Sequence, residues 1–292
     1  MKKIKIYIPL ITPFDKNLNI DYLSLEKLML YIINLENIDG IILFDKISEY
    51  YTFTVNEYID IINCILNNNK NKINIILKIN NIYNYKDLIN IIDLKFYKDI
   101  NIIMLDFPNL NNKYKYDIIK NYNYLFKYYR YLSFYFYLNN KKYIDENILL
   151  EIKNSNKNFI GIINKTNYIF NNYNLINSLS IIIYNDLLFY KLINLKPYGI
   201  ISPIFLFLFN YIYNNIILNI NNNKLFIYDK NYYRLIKFIY ILYKKINPIS
   251  GIKFILDSIN LCEPYVKYPI YNVDKLLEYQ KIKKIFNKII IS

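Results

Sequence analysis

Apolar residues along the chain gather into short, nearly continuous runs, separated by longer stretches in which they recur at helical spacing. The runs are Ile4–Leu10, Gly40–Phe44, Ile73–Ile79, Ile102–Leu105, Leu132–Leu138, Phe159–Ile163, Ser180–Tyr184 and Gly199–Ser202. A strand buried on both faces reads as a continuous apolar run, because neither face meets water. The stretches between them, such as the one carrying Leu25, Leu28, Leu30 and Ile32–Ile33, have the period of an amphipathic helix. Eight strands alternating with helices require parallel neighbours joined by crossovers. The predicted fold is therefore α/β, a (β/α)8 barrel over residues 1–220. An open doubly wound sheet is the alternative, but no glycine-rich phosphate loop follows any of the runs. After the eighth run the pattern is helical only, around Phe205–Leu218, Tyr232–Lys245, Ile252–Leu261 and Val273–Ile289, which predicts a C-terminal helical extension over 221–292. The asparagine runs Asn67-Asn68-Asn69-Lys70-Asn71 and Asn221-Asn222-Asn223 read as loops.

One uncharged stretch, Ile200 to Ile220, is long enough to span a bilayer. It holds Pro203 and four asparagines, which suit a buried strand followed by a helix better than lipid. The N-terminus, Met1-Lys2-Lys3-Ile4, runs straight into the first strand pattern without the apolar core or cleavage site of a signal peptide. Two cysteines, Cys64 and Cys262, make no disulfide framework and fit a reducing compartment, so a cytoplasmic protein is expected. With no His and no CxxC pair, neither a metal site nor another cofactor is expected.

The net charge of +14 raises the question of a nucleic-acid or membrane partner. The composition answers it. Ala and Trp are absent, Gly occurs four times and Tyr 35 times, so residues with AT-rich codons are inflated. The lysines are scattered singly or in pairs, and even Lys127-Tyr128-Tyr129-Arg130 reads as a solvated helix face. Neither a nucleic-acid nor a membrane partner is expected. Small-molecule substrates are.

The segment Ile8-Pro9-Leu10-Ile11-Thr12-Pro13-Phe14-Asp15, followed by Asn19-Ile20-Asp21 and Leu25-Glu26-Lys27-Leu28, resembles the opening of the dihydrodipicolinate synthase and N-acetylneuraminate lyase family. Further matches follow in family order: Asp39-Gly40-Ile41-Ile42, Phe159-Ile160-Gly161-Ile162, Gly199-Ile200-Ile201-Ser202, Asn247-Pro248-Ile249 with Lys253, and Val266-Lys267-Tyr268-Pro269. Gly40, Gly161 and Gly199 stand at the family's glycine positions in a chain with almost no other glycine.

The resemblance implies a lyase that condenses pyruvate with an aldehyde through a lysine Schiff base. For the synthase branch the aldehyde is aspartate semialdehyde, in lysine and diaminopimelate biosynthesis. The sugar-acid aldolases are the alternative branch, and a barrel that has lost catalysis is the alternative class. Family members are commonly tetramers, so a homo-oligomer is implied.

Residue by residue, Tyr137 in Tyr135-Phe136-Tyr137-Leu138-Asn139 matches the proton-relaying tyrosine of strand five. Five residues on, Lys142 stands where the synthase usually has a substrate-binding arginine, and Ile201 matches a second substrate-binding position. The Schiff-base lysine has two readings. Anchored on Gly161, the family's Gly-Ile-Lys reads Gly161-Ile162-Ile163; counted from Tyr137, the family's separation of 28 residues falls on Lys165. A shift of two keeps strand parity, so Lys165 is expected either on the face of Ile163 or as a solvated lysine in the loop after strand six. The family's Gly-Thr-Thr-Gly-Glu loop after strand two reads Asp45-Lys46-Ile47-Ser48-Glu49 and keeps only the glutamate. Lys46 or Ser48 is then left for the carboxylate that the two threonines would hold. The second family tyrosine, expected after strand four, has Tyr114 and Tyr116 nearby but not in register. Thr12, Tyr137, Lys165 and Ile201 are all expected at the C-terminal ends of strands, where barrel active sites are built.

Overall fold

The computed structural model describes residues 3–70, 72–79, 100–107, 115–138, 146–165, 173–186, 196–222, 230–270 and 277–290. Eight strands close in sequence order into a barrel: β1 (Lys5–Pro9), β2 (Gly40–Leu43), β3 (Asn74–Ile79), β4 (Ile102–Asp106), β5 (Ser133–Leu138), β6 (Phe159–Asn164), β7 (Ser180–Ile183) and β8 (Gly199–Ile201). Each predicted run coincides with one of them to within one residue at either end. The fold is a (β/α)8 barrel followed by helices.

By Cα proximity the chain divides into two compact units, Met1–Ile6 with Asn74–Ile201, and Tyr7–Ile73 with Ser202–Ser292. In the first unit, α3 (Lys115–Tyr128), α4 (Glu146–Ser155) and α5 (Tyr173–Ser178) follow strands β4, β5 and β6. Its aromatic core lies between α3 and the sheet. The ring of Phe126 lies 4.5 Å from Phe134 and 5.8 Å from both Phe136 and Phe159.

The second unit holds α1 (Tyr22–Ile33), two 3-10 turns (Lys46–Ser48 and Tyr50–Thr52) and α2 (Val55–Asn69). After β8 come α6 (Phe205–Ile212), a π turn (Tyr213–Ile217), α7 (Leu218–Asn221), α8 (Lys230–Lys244), α9 (Pro248–Ser258) and α10 (Leu277–Ile290). Phe207, Phe238 and Phe286 join α6, α8 and α10, with ring centroids 5.7 to 6.2 Å apart. The uncharged stretch is therefore β8 and its following helix, as expected. No helix among the described residues is long and apolar enough to cross a membrane.

Local chemistry explains the helix ends. Asp21 caps α1 by accepting from the backbone N–H of Ser24 at 3.0 Å. At α2, Thr54 and Glu57 form a reciprocal capping box. Three expectations need correction. In α1 the buried positions are Leu25, Leu28, Met29 and Ile32, while Leu30 is exposed. The true stripe is i, i+3, i+4, i+7, and Leu30 lies off it.

Asn67 to Asn69 belong to the last turn of α2 rather than a loop. There Asn68 donates its amide to the carbonyl of Cys64, and Asn69 both donates to and accepts from the backbone of Ile73. Asparagine at a helix end thus satisfies backbone groups that the helix leaves open. Finally, α9 starts at Pro248, four residues before the predicted start, because Asn247 caps it and a proline at the first helical position needs no hydrogen-bonding N–H.

Candidate active site

Strand β5 sorts its aromatics by parity. Phe134 and Phe136 face α3, so Tyr135 and Tyr137 take the opposite face. Tyr137, one residue from the strand's end, is buried. It stands level with Asp106 on β4 and Ile163 on β6.

The register of β6 decides where Lys165 points. Phe134 pairs with Phe159, but the next residue, Tyr135, pairs with Gly161, so β6 carries one extra residue there. After this bulge Gly161 and Ile163 share the face of Tyr135 and Tyr137. Lys165, two residues beyond Ile163, returns to that face just past the strand end. Its Nζ lies 5.9 Å from the ring centroid of Tyr137 and 5.1 Å from that of Tyr184. The amide of Asn185 donates to its backbone carbonyl at 2.9 Å.

Ile163 is fully buried and supplies only packing. Gly161 is required by a close approach: a Cβ there would stand 2.0 Å from the backbone oxygen of Ser180.

Ile201 is also fully buried. It shares a face with Gly199, which pairs with Ile182, itself level with Ile163. It therefore contributes an apolar wall on Tyr137's side of the sheet. Lys142 lies outside the described residues, as do Pro108, Asn109 and Tyr114. Thr12 is buried three residues after β1.

Two residues of this face were not anticipated. Lys78, on β3, is 6% exposed and stands level with Met104 and Tyr135. Its Nζ is 4.2 Å from the centroid of Tyr137, well within cation–π range. The sequence signal was a single lysine inside the apolar run Ile75-Ile76-Leu77-Lys78-Ile79. Tyr184 follows β7, with its ring 6.0 Å from that of Tyr137. Two amines and a second phenol ring thus meet around Tyr137, with Asp106 on the same face of the sheet at the end of β4. An amine and a phenol so placed can capture a carbonyl and relay protons.

The second unit has its own buried polar cluster, built from residues that carried the family resemblance. Glu49 takes a left-handed backbone conformation (φ 60°) between the two 3-10 turns. Its Oε1 accepts from Lys253 Nζ at 2.6 Å, and its Oε2 accepts from the backbone N–H of Lys267 at 2.7 Å. Lys253 also donates to the carbonyl of Tyr265 at 2.8 Å, and its ammonium lies 4.0 Å from the ring centroid of Phe14. Burial pulls the Lys253 ammonium below the ordinary lysine range, and the charge of Glu49 opposes that shift. Lys267 reaches Glu57 at 3.6 Å.

In the preceding turn, the Ser48 hydroxyl donates to the carbonyl of Asp45 at 2.7 Å, Ile47 is buried and Lys46 is exposed. By its contacts, the turn from Asp45 to Glu49 is a structural anchor.

No family model matches the chain. A curated relative, 4-hydroxy-tetrahydrodipicolinate synthase from Karelsulcia muelleri (strain GWSS), is 28% identical over 293 residues, covering 95% of each protein. Among solved structures, 4-hydroxy-tetrahydrodipicolinate synthase from Methylacidiphilum fumariolicum SolV is similar with a TM-score of 0.81 and 18% identity, over 99% of this chain and 98% of that one. N-acetylneuraminate lyase from Fusobacterium nucleatum gives 0.80 and 13%, over 99% of each. At those identities the structural likenesses speak for the fold alone.

Proposed function

We propose that this chain belongs to the dihydrodipicolinate synthase and N-acetylneuraminate lyase family and has the activity of a 4-hydroxy-tetrahydrodipicolinate synthase, condensing pyruvate with aspartate semialdehyde through an imine on Lys165. The observation that carries this reading is the placement of the Lys165 amine within 5.9 Å of the Tyr137 ring, despite an isoleucine at the position where the family's motif puts lysine. The curated relative's name supports the choice of aldehyde.

In the proposed reaction the neutral Lys165 amine attacks C2 of pyruvate and water leaves, giving the imine. Loss of a methyl proton turns the imine into an enamine. Its C3 attacks the aldehyde carbon, and the aldehyde oxygen takes a proton. The amino group of the aldehyde substrate then attacks the imine carbon and displaces the lysine amine, which closes the ring and frees Lys165. Tyr137 is the group placed to pass these protons, since its ring lies beside the amine. The buried Ile163 and Ile201 supply apolar walls that keep bulk water from the enamine. Lys142 is proposed to meet the aldehyde's carboxylate, as a single charge rather than the bidentate fork of an arginine.

The test is turnover. Purified protein is mixed with pyruvate and aspartate semialdehyde, and the cyclic product is followed through a coupled reductase. Turnover supports the synthase reading. Turnover only with a sugar-derived aldehyde moves the protein to the other branch of the family. No consumption of pyruvate with any aldehyde, in folded protein, makes it a barrel that has lost catalysis.

A further inference from the structure

We propose that Lys78 holds the carboxylate of the 2-oxo acid whose carbonyl reacts at Lys165, so that two lysines on one tyrosine ring divide the work of binding and bond formation. This rests on the imine chemistry proposed above. Lys78 sits within β3 on the same face of the sheet as Tyr137, 6% exposed, with its ammonium 4.2 Å from the Tyr137 centroid. It rises from the level of Tyr135, two residues below Tyr137, whereas Lys165 stands two residues above the level of Ile163, which is that of Tyr137. The two side chains therefore converge on the ring from opposite ends of the strands. In an imine of pyruvate the carboxylate is bonded directly to the imine carbon. A group that holds it must approach the same small volume from another direction, as Lys78 does.

Ile47 has no polar atom, the Ser48 hydroxyl donates within its own turn, and Lys46 is exposed. An ammonium with three donors on a flexible stem is suited to a small carboxylate whose orientation is fixed elsewhere, here by the covalent bond to Lys165. Lys78 forms no covalent bond in this scheme.

The experiment is borohydride trapping at increasing concentrations of pyruvate or of its uncharged methyl ester, with the labelled peptide mapped, in wild-type protein, Lys78→Met and Lys78→Arg. The expected result is a label on Lys165 in all three. For Lys78→Met the pyruvate concentration giving half-maximal trapping should rise about tenfold or more, the size of a lost charge-assisted hydrogen bond. Methyl pyruvate should be unaffected, and Lys78→Arg should restore most of the pyruvate affinity. An equal rise for acid and ester would make Lys78 structural and overturn the proposal, as would no change for either. A label on Lys78 would make it the nucleophile, overturning its binding role while keeping imine chemistry. Wild-type protein trapped by neither compound would remove the Lys165 reading, and this inference with it. Should Lys78→Met not fold, Lys78→Gln, which can still hydrogen-bond inside the barrel, carries the same comparison.

Discussion

Lys253 donates to Glu49 across 2.6 Å with neither side chain exposed, and this ion pair ties α9 to the turn that follows β2. The remaining carboxylate oxygen of Glu49 accepts from the backbone of Lys267, so three separate stretches of chain share one buried charge. A buried carboxylate is stable only while its partners stay.

Removing one partner should therefore be costly. Lys253→Met, leaving Glu49 buried without its ammonium, is expected to destabilise the fold by about 3–5 kcal/mol. The double variant Lys253→Met/Glu49→Gln should recover part of that loss, because no lone charge remains. Urea unfolding followed by circular dichroism measures both. A double variant no more stable than Lys253→Met would show that the charge balance is not what holds this turn.

At the reacting face, Lys165→Ala is expected to abolish borohydride trapping of pyruvate. Tyr137→Phe should slow turnover by about 10²-fold or more while trapping persists, since proton relay and covalent capture are separate steps. Mass analysis of the reduced adduct, beside the coupled assay, reads the two effects independently. Equal loss of both in Tyr137→Phe would assign the tyrosine to imine formation itself.

The two glycines with crowded surroundings should differ in their response to a methyl group. Gly161→Ala places Cβ 2.0 Å from a backbone oxygen of the neighbouring strand, which can move only by separating β6 from β7. Gly251→Ala meets the Cδ1 of Leu242 at 2.4 Å, the end of a side chain that can rotate away. Thermal melts should show a much larger loss for Gly161→Ala, accompanied by loss of trapping at Lys165, four residues on.

Both thiols should resist alkylation in the folded state. Burial is the largest cause in each case: it pushes Cys64 up to about 11, with the charge of Glu26 adding to it, and Cys262 up to about 12, with the nearby Lys253 charge pulling the other way. Only the thiolate reacts, so iodoacetamide at pH 8 should modify neither residue rapidly, and denaturant should expose both. Rising pH should bring Cys64 into reaction before Cys262. Rapid modification of Cys262 in native protein at pH 8 would mean that α9 opens far more often than its burial implies.

Some of this protein was already determined by its sequence. Strands buried on both faces must be apolar throughout, so the eight runs marked the eight strands to within one residue at either end, and the barrel followed from their alternation with helices. Parity along a strand has a period of two, which left Lys165 either on the face of Ile163 or in the loop beyond it. Glu49, Lys253, Lys267 and Phe14 were visible as matches to a family, but their meeting in one buried cluster was not, because Glu49 and Lys253 are 204 residues apart along the chain.

Tertiary structure alone decided the rest. Whether Lys165 reached Tyr137 depended on the extra residue that β6 carries after Phe159, a register detail set by pairing with β5. Lys78 is a single lysine in an apolar run, and only the closed sheet sets its ammonium over a tyrosine two strands away. Local sequence fixes the period of a strand and the caps of a helix through contacts only a few residues apart. Which charges share a buried face depends on strand order, register and closure, and those are settled by packing between residues far apart in the chain.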